Sequence, residues 1–130
     1  MTLEEIRLAI TTRLVGWEDA PIAWDNLPSP PAVLTAQADK APWIRVTVLH
    51  GDGIPAQLDD AVMRSGILAI QIFTGRHVGE RPGLLLVDSL TARLEHYRAD
   101  GLRLRQANPS RIGLDDGWHQ INLNVPFIAH

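Results

Sequence analysis

The chain has 130 residues, a length that favours one domain with a single hydrophobic core, and we assign that domain to residues 1–130. Its 12 basic and 15 acidic residues give a net charge of −3, so the basic excess typical of nucleic-acid-binding proteins is missing and we expect no sequence-specific nucleic-acid partner. The lack of cysteine excludes disulfides and thiolate metal sites, and no apolar run approaches the ~20 residues of a membrane-spanning helix, so we expect no membrane partner.

A helix is predicted over residues 2–15. Thr2 and Glu5 have the spacing of a capping box, and Gly16 is typical of a helix end. We interpret the apolar stripe of this helix as its core-facing side: Leu3, Ile6, Ile10 and Leu14. The early Glu4 and Glu5 are opposite in charge to a secretory signal, so we expect a cytoplasmic protein.

Residues 21–25 are predicted to form a short extended segment, and residues 26–42 contain four prolines. Proline lacks the backbone donor that a helix interior or a central strand requires, so we predict a loop or an arm along a sheet edge. Loops of this length are uncommon in small domains and are often functional. The pattern leaves open a contact arm and a plain connector.

The central strand is predicted over residues 63–73, because its side chains alternate in character. Its core face is apolar: Leu68, Ile70 and Ile72. A second strand is predicted over residues 43–49, and glycine and proline in residues 50–55 indicate a turn. We therefore expect a long hairpin in which residues 51–62 form a projecting, mobile contact loop.

A second helix is predicted from about residue 81 to 98, with Pro82 in its first turn and a terminator at Gly101. Its apolar stripe repeats every four residues: Leu86, Leu90, Leu94 and Tyr97, widened by Val87. Short strands are predicted over residues 102–104 and 110–114. A hairpin turn at residues 115–117 then leads to a terminal strand over residues 118–128.

These elements predict an α+β fold with a mixed, mostly antiparallel sheet of four to five strands and two helices packed on one face. The side under the helices is apolar: Val46, Val48, Leu68, Ile70, Ile72, Leu123 and Val125. The other side is polar and mostly uncharged: Arg45, Thr47, Gln71, Asn122 and Asn124.

Motifs that carry chemistry are scarce. No pair of the five histidines has the spacing of a zinc motif, and residues 75–79 lack the Lys-Ser/Thr of a phosphate-binding loop. The paired aspartates at 59–60 and 115–116 fall in predicted loops, where turn formation is the commoner role. We therefore expect no catalytic residues, no metal and no cofactor, and a protein that is not an enzyme.

The order of the elements carries a resemblance. After the first helix come residues 22–31 (IAWDNLPSPP), 42–52 (PWIRVTVLHGD) and 64–75 (RSGILAIQIFTG), then a helix, and finally residues 117–127 (GWHQINLNVPF). From about Leu3 to Phe127 this series resembles the phage tail-terminator-like family, which comprises small proteins of long-tailed phages and prophages.

The resemblance implies a virion assembly protein located in the tail and assembled in the host cytoplasm. Such proteins are α+β domains that form a ring, by analogy a hexamer, on the finished end of the tail tube. The ring stops the addition of tube subunits and presents a surface to head-completion proteins. The implied partners are other copies of the chain, the tail-tube protein and the head-completion protein, and no family-wide catalytic residues carry over.

Candidate residues for these subunit or partner contacts lie in the projecting hairpin, at its base and at predicted strand ends: Asp52, Asp59, Asp60, Arg64, Arg76, Trp43 and Trp118. Tryptophans at strand ends are either core lids or interface anchors, because buried aromatic side chains carry much of the binding energy at interfaces. The polar sheet face is suited to packing against a neighbour without making the free chain insoluble.

Two alternatives remain open at this point. A head-closure or neck connector protein shares the phage setting and has a similar fold. A small enzyme or ligand-binding α+β domain would use His50, Asp52 and His119, and it requires a pocket that holds these three side chains together.

Replacing Asp59 and Asp60 with lysine tests the contact-loop hypothesis. We expect the double variant to lose assembly and to keep the circular dichroism spectrum and melting temperature of the original chain, because the charges serve a partner rather than the fold. Unfolding of the isolated double variant would instead make the loop a structural element.

Overall fold

A computed structural model describes residues 1–55 and 62–130. Helices and strands in this part of the chain are, in order, α1 (Leu3–Leu14), β1 (Ile22–Trp24), α2 (Pro31–Asp39), β2 (Trp43–Pro55), β3 (Val62–Gly75), α3 (Arg81–Leu94), β4 (Arg98–Ala99), β5 (Leu102–Leu104), β6 (Asn108–Asp115) and β7 (Trp118–Ala129).

The strands form one sheet in the order β1-β2-β3-β7-β5-β4, with β6 also paired to β7. Only β1 and β2 run parallel among the described pairs; the others are antiparallel. One edge of β7 pairs with β3, and its other edge is shared by β6 near the start and β5 near the end. The prediction of an α+β fold with a mixed, mostly antiparallel sheet is confirmed.

The predicted numbers of elements are wrong, because the described residues contain seven strands and three helices. The additional helix, α2, lies in the segment that was predicted as a loop. Pro30 and Pro31 occupy its N-cap and first helical positions, where a missing N–H costs nothing, and Pro31–Asp39 contains no later proline. Lys40, with φ 56°, ends the helix in the left-handed conformation.

The predicted turn at residues 50–55 is also wrong, because β2 continues to Pro55 and pairs with β3 as far as Val62. The register shifts between His50 and Gly53, which is a β-bulge. A Cβ atom at Gly51 would lie 2.9 Å from the Ser65 carbonyl oxygen. Glycine is therefore suited to this position because the two strands approach each other closely, and not because the chain turns there. The projecting tip, residues 56–61, lies outside the described residues.

The second predicted helix is shorter than expected. It ends at Leu94, since Glu95 is extended and His96 is left-handed with φ 60°, so Tyr97 is not part of a helical stripe. The turn before β7 is confirmed: Asp116 and Gly117 have φ values of 50° and 85°, which suit a two-residue hairpin loop.

The two predicted helices, α1 and α3, pack on the apolar side of the sheet as expected. The main core joins Ile6, Ile10 and Leu14 of α1 to Leu86, Val87, Leu90 and Leu94 of α3 and to the apolar sheet residues Ile44, Val46, Leu68, Ile70, Ile72, Ile121, Leu123, Val125 and Phe127. The third helix, α2, which was not predicted, packs on the opposite side.

A reciprocal pair of arginines ties the C-terminal ends of α1 and α3 together. Arg13 donates from Nε to the Arg93 carbonyl oxygen at 2.7 Å, and Arg93 donates from Nε to the Arg13 carbonyl oxygen at 2.8 Å. Arg93 also donates from Nη2 to the Val15 carbonyl oxygen at 2.8 Å. Each guanidinium thus satisfies carbonyl groups that a helix end leaves without partners, and its charge opposes the negative end of the helix dipole.

None of the described helices combines the length and the hydropathy that crossing a bilayer demands.

Replacing Arg93 with methionine keeps the apolar stem and removes both charged hydrogen bonds. We expect the free energy of unfolding to fall by about 2 kcal/mol, measured by urea denaturation. The matched control is Arg81→Met at the exposed start of the same helix, which should change it by less than about 0.5 kcal/mol. Equal effects of the two substitutions would show that the reciprocal arginine pair is not a significant tie.

Candidate interaction surface on the sheet

The side of the sheet opposite α1 and α3 is only partly covered in the described structure, and we call its uncovered part on β2, β3 and β7 the open face. Pairing aligns its side chains in three successive rows: Arg45–Gln71–Asn122, Thr47–Ala69–Asn124 and Leu49–Ile67–Pro126. The first two rows are rich in amides and small side chains, and the third is apolar. The predicted polar face therefore lies where the sequence placed it.

One end of this side of the sheet is closed by an aromatic cluster under α2. Trp43 stacks on Phe73 with ring centroids 4.3 Å apart, and Trp118 contacts Trp43 edge-on at 6.1 Å. Val33 and Ala36 of α2 pack on the same cluster. Trp43 is only 4% exposed and its indole N–H has no hydrogen-bond partner among the described residues, so it is part of the core of this chain.

A shallow cavity of about 320 Å³ lies beside the aromatic cluster. The guanidinium of Arg45 lies over Trp43 and Phe73, 5.4 and 5.7 Å from the ring centroids, and donates to Gln71 Oε1 at 3.4 Å. Asp116 is on the cavity rim. This arrangement places one oriented cation at the border between the aromatic cluster and the amide rows.

Amide side chains occupy the centre of the open face. Gln120 is buried and donates from Nε2 to Asn122 Oδ1 at 2.7 Å, so this bond uses the acceptor of Asn122 and not its amide donor. Amides both donate and accept, and removing them from water costs less than removing charges. A neighbouring protein surface can therefore cover these rows without a large desolvation penalty.

The other end of the open face is apolar and basic. Leu49 and Ile67 are 51% and 40% exposed, and Pro126 and Ile128 continue the apolar surface on β7. Arg103 lies opposite Ile128, on the side of β5 away from the buried Leu102 and Leu104. Arg98 of β4 pairs with Arg103, so two arginines border the exposed apolar residues.

The predicted contact residues do not form a single surface. Trp43 and Trp118 meet in the aromatic cluster, whereas Arg64 lies near the start of β3 and Arg76 directly follows its end. Asp52 is in the β2 bulge and its side chain is outside the described part of the chain. Asp59 and Asp60 lie outside the described residues altogether.

The alternative site of His50, Asp52 and His119 is not assembled. His50 pairs with Gly66 and His119 with Thr74, so the two histidines are separated by eight residues of β3, or roughly 26 Å. Both ring nitrogens of His119 are buried without a hydrogen-bond partner in the described residues. Among the residues that the structure describes, no three His, Asp or Glu side chains gather as metal ligands.

A second cavity of about 300 Å³ lies on the helix side of the sheet, between α1 and the first two strands. Its walls are mainly apolar, including Trp24 and Val48, with His50 and Arg7 at the margin. Arg7 donates from Nε to Glu4 Oε2 at 2.8 Å, and this pairing lowers the pKa of Glu4. Asp25 and His50 both line this cavity, and no hydrogen bond joins their side chains in the described structure.

The sequence analysis missed the basic end of the open face. The signal was present in Leu102-Arg103-Leu104, since an arginine between two core leucines must point to the opposite side of the strand. What the sequence did not reveal is that β5 pairs with the end of β7, which places Arg103 beside Ile128.

Comparisons with known proteins add the fold alone. No family model matches the sequence, and no curated protein matches it. One solved structure, of a protein whose name states no function, superposes over 100% of this chain and 96% of its own, with a TM-score of 0.75 and 18% sequence identity. The chain therefore shares its α+β architecture with that protein.

Replacing Trp43 with alanine tests whether the aromatic cluster is part of the core. We expect the free energy of unfolding to fall by about 3–5 kcal/mol, because a large buried side chain is removed between the sheet and α2. Asn124→Ala on the open face is the control and should change it by less than about 0.5 kcal/mol. A small effect of Trp43→Ala in urea denaturation would make the cluster a surface feature instead.

Proposed function

We propose that this protein is a phage or prophage tail-assembly protein that caps the tail tube as a ring. In this role it stops tube polymerisation and provides the surface to which the head joins. The ordered sequence resemblance from about Leu3 to Phe127 supports the proposal, and so does an α+β fold with one largely uncovered sheet face.

The open face is the observation that carries the proposal. It combines amide rows, an exposed apolar row and bordering arginines, which is a composition suited to contact with another protein. The protein works by binding, as a component of the virion tail assembled in the host cytoplasm. Its partners are copies of itself, the tube protein and the head-completion protein.

The size of the open face suggests how strongly copies associate. About twelve side chains at ~33 Å² each cover a footprint of ~400 Å², half of the ~800 Å² that each partner contributes to a standard interface. A single contact of this size is weak. A closed ring gives every copy two such contacts, and the tube end holds copies at high effective concentration. Assembly is therefore expected mainly on the tube.

Mass measurement in solution, with and without purified tube protein, tests the proposal. We expect a small species for the free chain and a ring-sized increment of mass on tubes, with one ring per tube end. A chain that ignores tube protein at high concentration would contradict the proposal.

Electron microscopy of tails made with and without this protein tests its role in tube length. Overlong tubes in its absence are expected, because nothing then stops the addition of tube subunits. Tubes of normal length that fail to join heads would point to a neck connector instead, since such a protein acts after the tube is complete.

A further inference from the structure

The open face carries positive charge at its ends, although the whole chain has a net charge of −3. The open face and its border carry Arg45, Arg98 and Arg103, and the backbone N–H of Arg105 bonds the Pro126 carbonyl at the same border. The turn between β4 and β5 contributes one carboxylate, Asp100, which leaves this corner net positive. Ion pairs in the described residues join only Arg7 to Glu4 and Arg111 to Glu80, so Arg98 and Arg103 are in no ion pair there.

The exposed side of α3 is apolar and acidic in its middle, and the basic Arg81 lies at the start of the same helix. Leu84 and Leu85 are 48% and 51% exposed, and Asp88 follows Leu84 one turn later on the same exposed side. The hydroxyl of Ser89, one turn after Leu85, donates to a carboxylate oxygen of Asp19, which brings a second acidic group to this side. We call this surface the α3 ridge: Leu84, Leu85, Asp88 and the adjoining Asp19.

We propose that the basic end of the open face binds the α3 ridge of a second copy of this chain. The apolar residues Leu49, Ile67 and Ile128 would cover Leu84 and Leu85, and Arg98 and Arg103 would face Asp88 and Asp19. This inference deepens the proposed function by naming the two surfaces through which neighbouring copies in the ring bind each other. It rests on the proposed function in one respect, which is that copies of the chain associate.

Charge decides between this contact and the symmetric alternative. Two basic ends packed against each other would bring Arg103 and Arg98 of both copies together, and like charges across an interface oppose association. An acidic, partly apolar partner surface removes that repulsion. The contact is therefore between two different surfaces, which joins copies head to tail and closes into a ring when the rotation between them permits it.

The positions of the two surfaces suit head-to-tail assembly. The helix α3 packs on the apolar side of the sheet through Leu86, Val87 and Leu90, so its exposed ridge points away from the sheet. The open face is on the other side of that sheet. Each copy thus presents the basic end of the open face on one side and the α3 ridge on the opposite side. The sheet and the helix layer, which are ~10 Å apart, lie between these two surfaces.

The absence of cysteine makes site-specific cross-linking a clean test. Two variants, Arg103→Cys and Asp88→Cys, are mixed and treated with a short bis-maleimide, first alone and then with tube protein. We expect a cross-linked dimer from the mixture and none from Arg103→Cys alone. The control is Thr35→Cys on the exposed side of α2, which should not cross-link to Asp88→Cys.

Charge reversal supplies an independent readout. Arg103→Glu should raise the concentration at which the chain assembles by at least about tenfold, and adding Asp88→Arg in the same chain should restore assembly, because the pair is then reversed. Arg7→Glu, at an exposed position of α1 outside both surfaces, is the control and should leave assembly unchanged. Unchanged circular dichroism spectra exclude misfolding as the cause of any loss.

The outcomes separate this inference from the proposed function. Suppose that the original chain assembles. If Arg103→Cys then cross-links only to itself, or if neither Arg103→Cys alone nor its mixture with Asp88→Cys cross-links, the assigned surfaces are wrong and ring assembly stands. If the mixed pair cross-links but the chain ignores tube protein, the contact is right and the tail-capping function fails. A chain that never associates, alone or with tube protein, overturns both.

Discussion

The alternation of side chains along β3 and β7 is the constraint on which the rest of the structure depends. Every second residue is buried under α1 and α3, as Leu68 and Ile70 are, and the residues between them face the other way. A slip of one residue would exchange that apolar set for Gln71 and its neighbours, so the register is strongly fixed. The same register sets which side chains share the open face.

Because of this constraint, much of the fold was predictable from the sequence. A period of two over a long strand and a period near 3.6 in α1 and α3 are local signals, and both sides of the sheet followed from them. The helix α2 was missed because Pro30 and Pro31 were interpreted as breaking a helix, whereas here they begin one. Val33 and Ala36 gave too short an apolar pattern to reveal its contact with the sheet.

The surface was less predictable than the core, because it depends on pairing between distant segments. Trp43 and Trp118 meet only because β2, β3 and β7 are adjacent in a particular register. Arg103 reaches the open face only because β5 takes the part of the β7 edge that β6 leaves free. No local pattern encodes such pairings, so single residues were identified without the surface to which they belong.

Two edges of the sheet, those of β6 and β4, favour association through faces rather than through added strands. The outer edge of β6 includes Pro109, which has no backbone donor, and a bulge between Arg111 and Gly113, and both features hinder pairing with another strand. The β4 edge is only two residues long and carries an arginine. These two edges are therefore poor sites for strand addition, whereas β1 covers only Ile44–Val46 of the long strand β2 at the opposite edge. Contacts between side chains can be weakened or restored by substitutions that change charge. Strand pairing through backbone groups cannot be altered in this way.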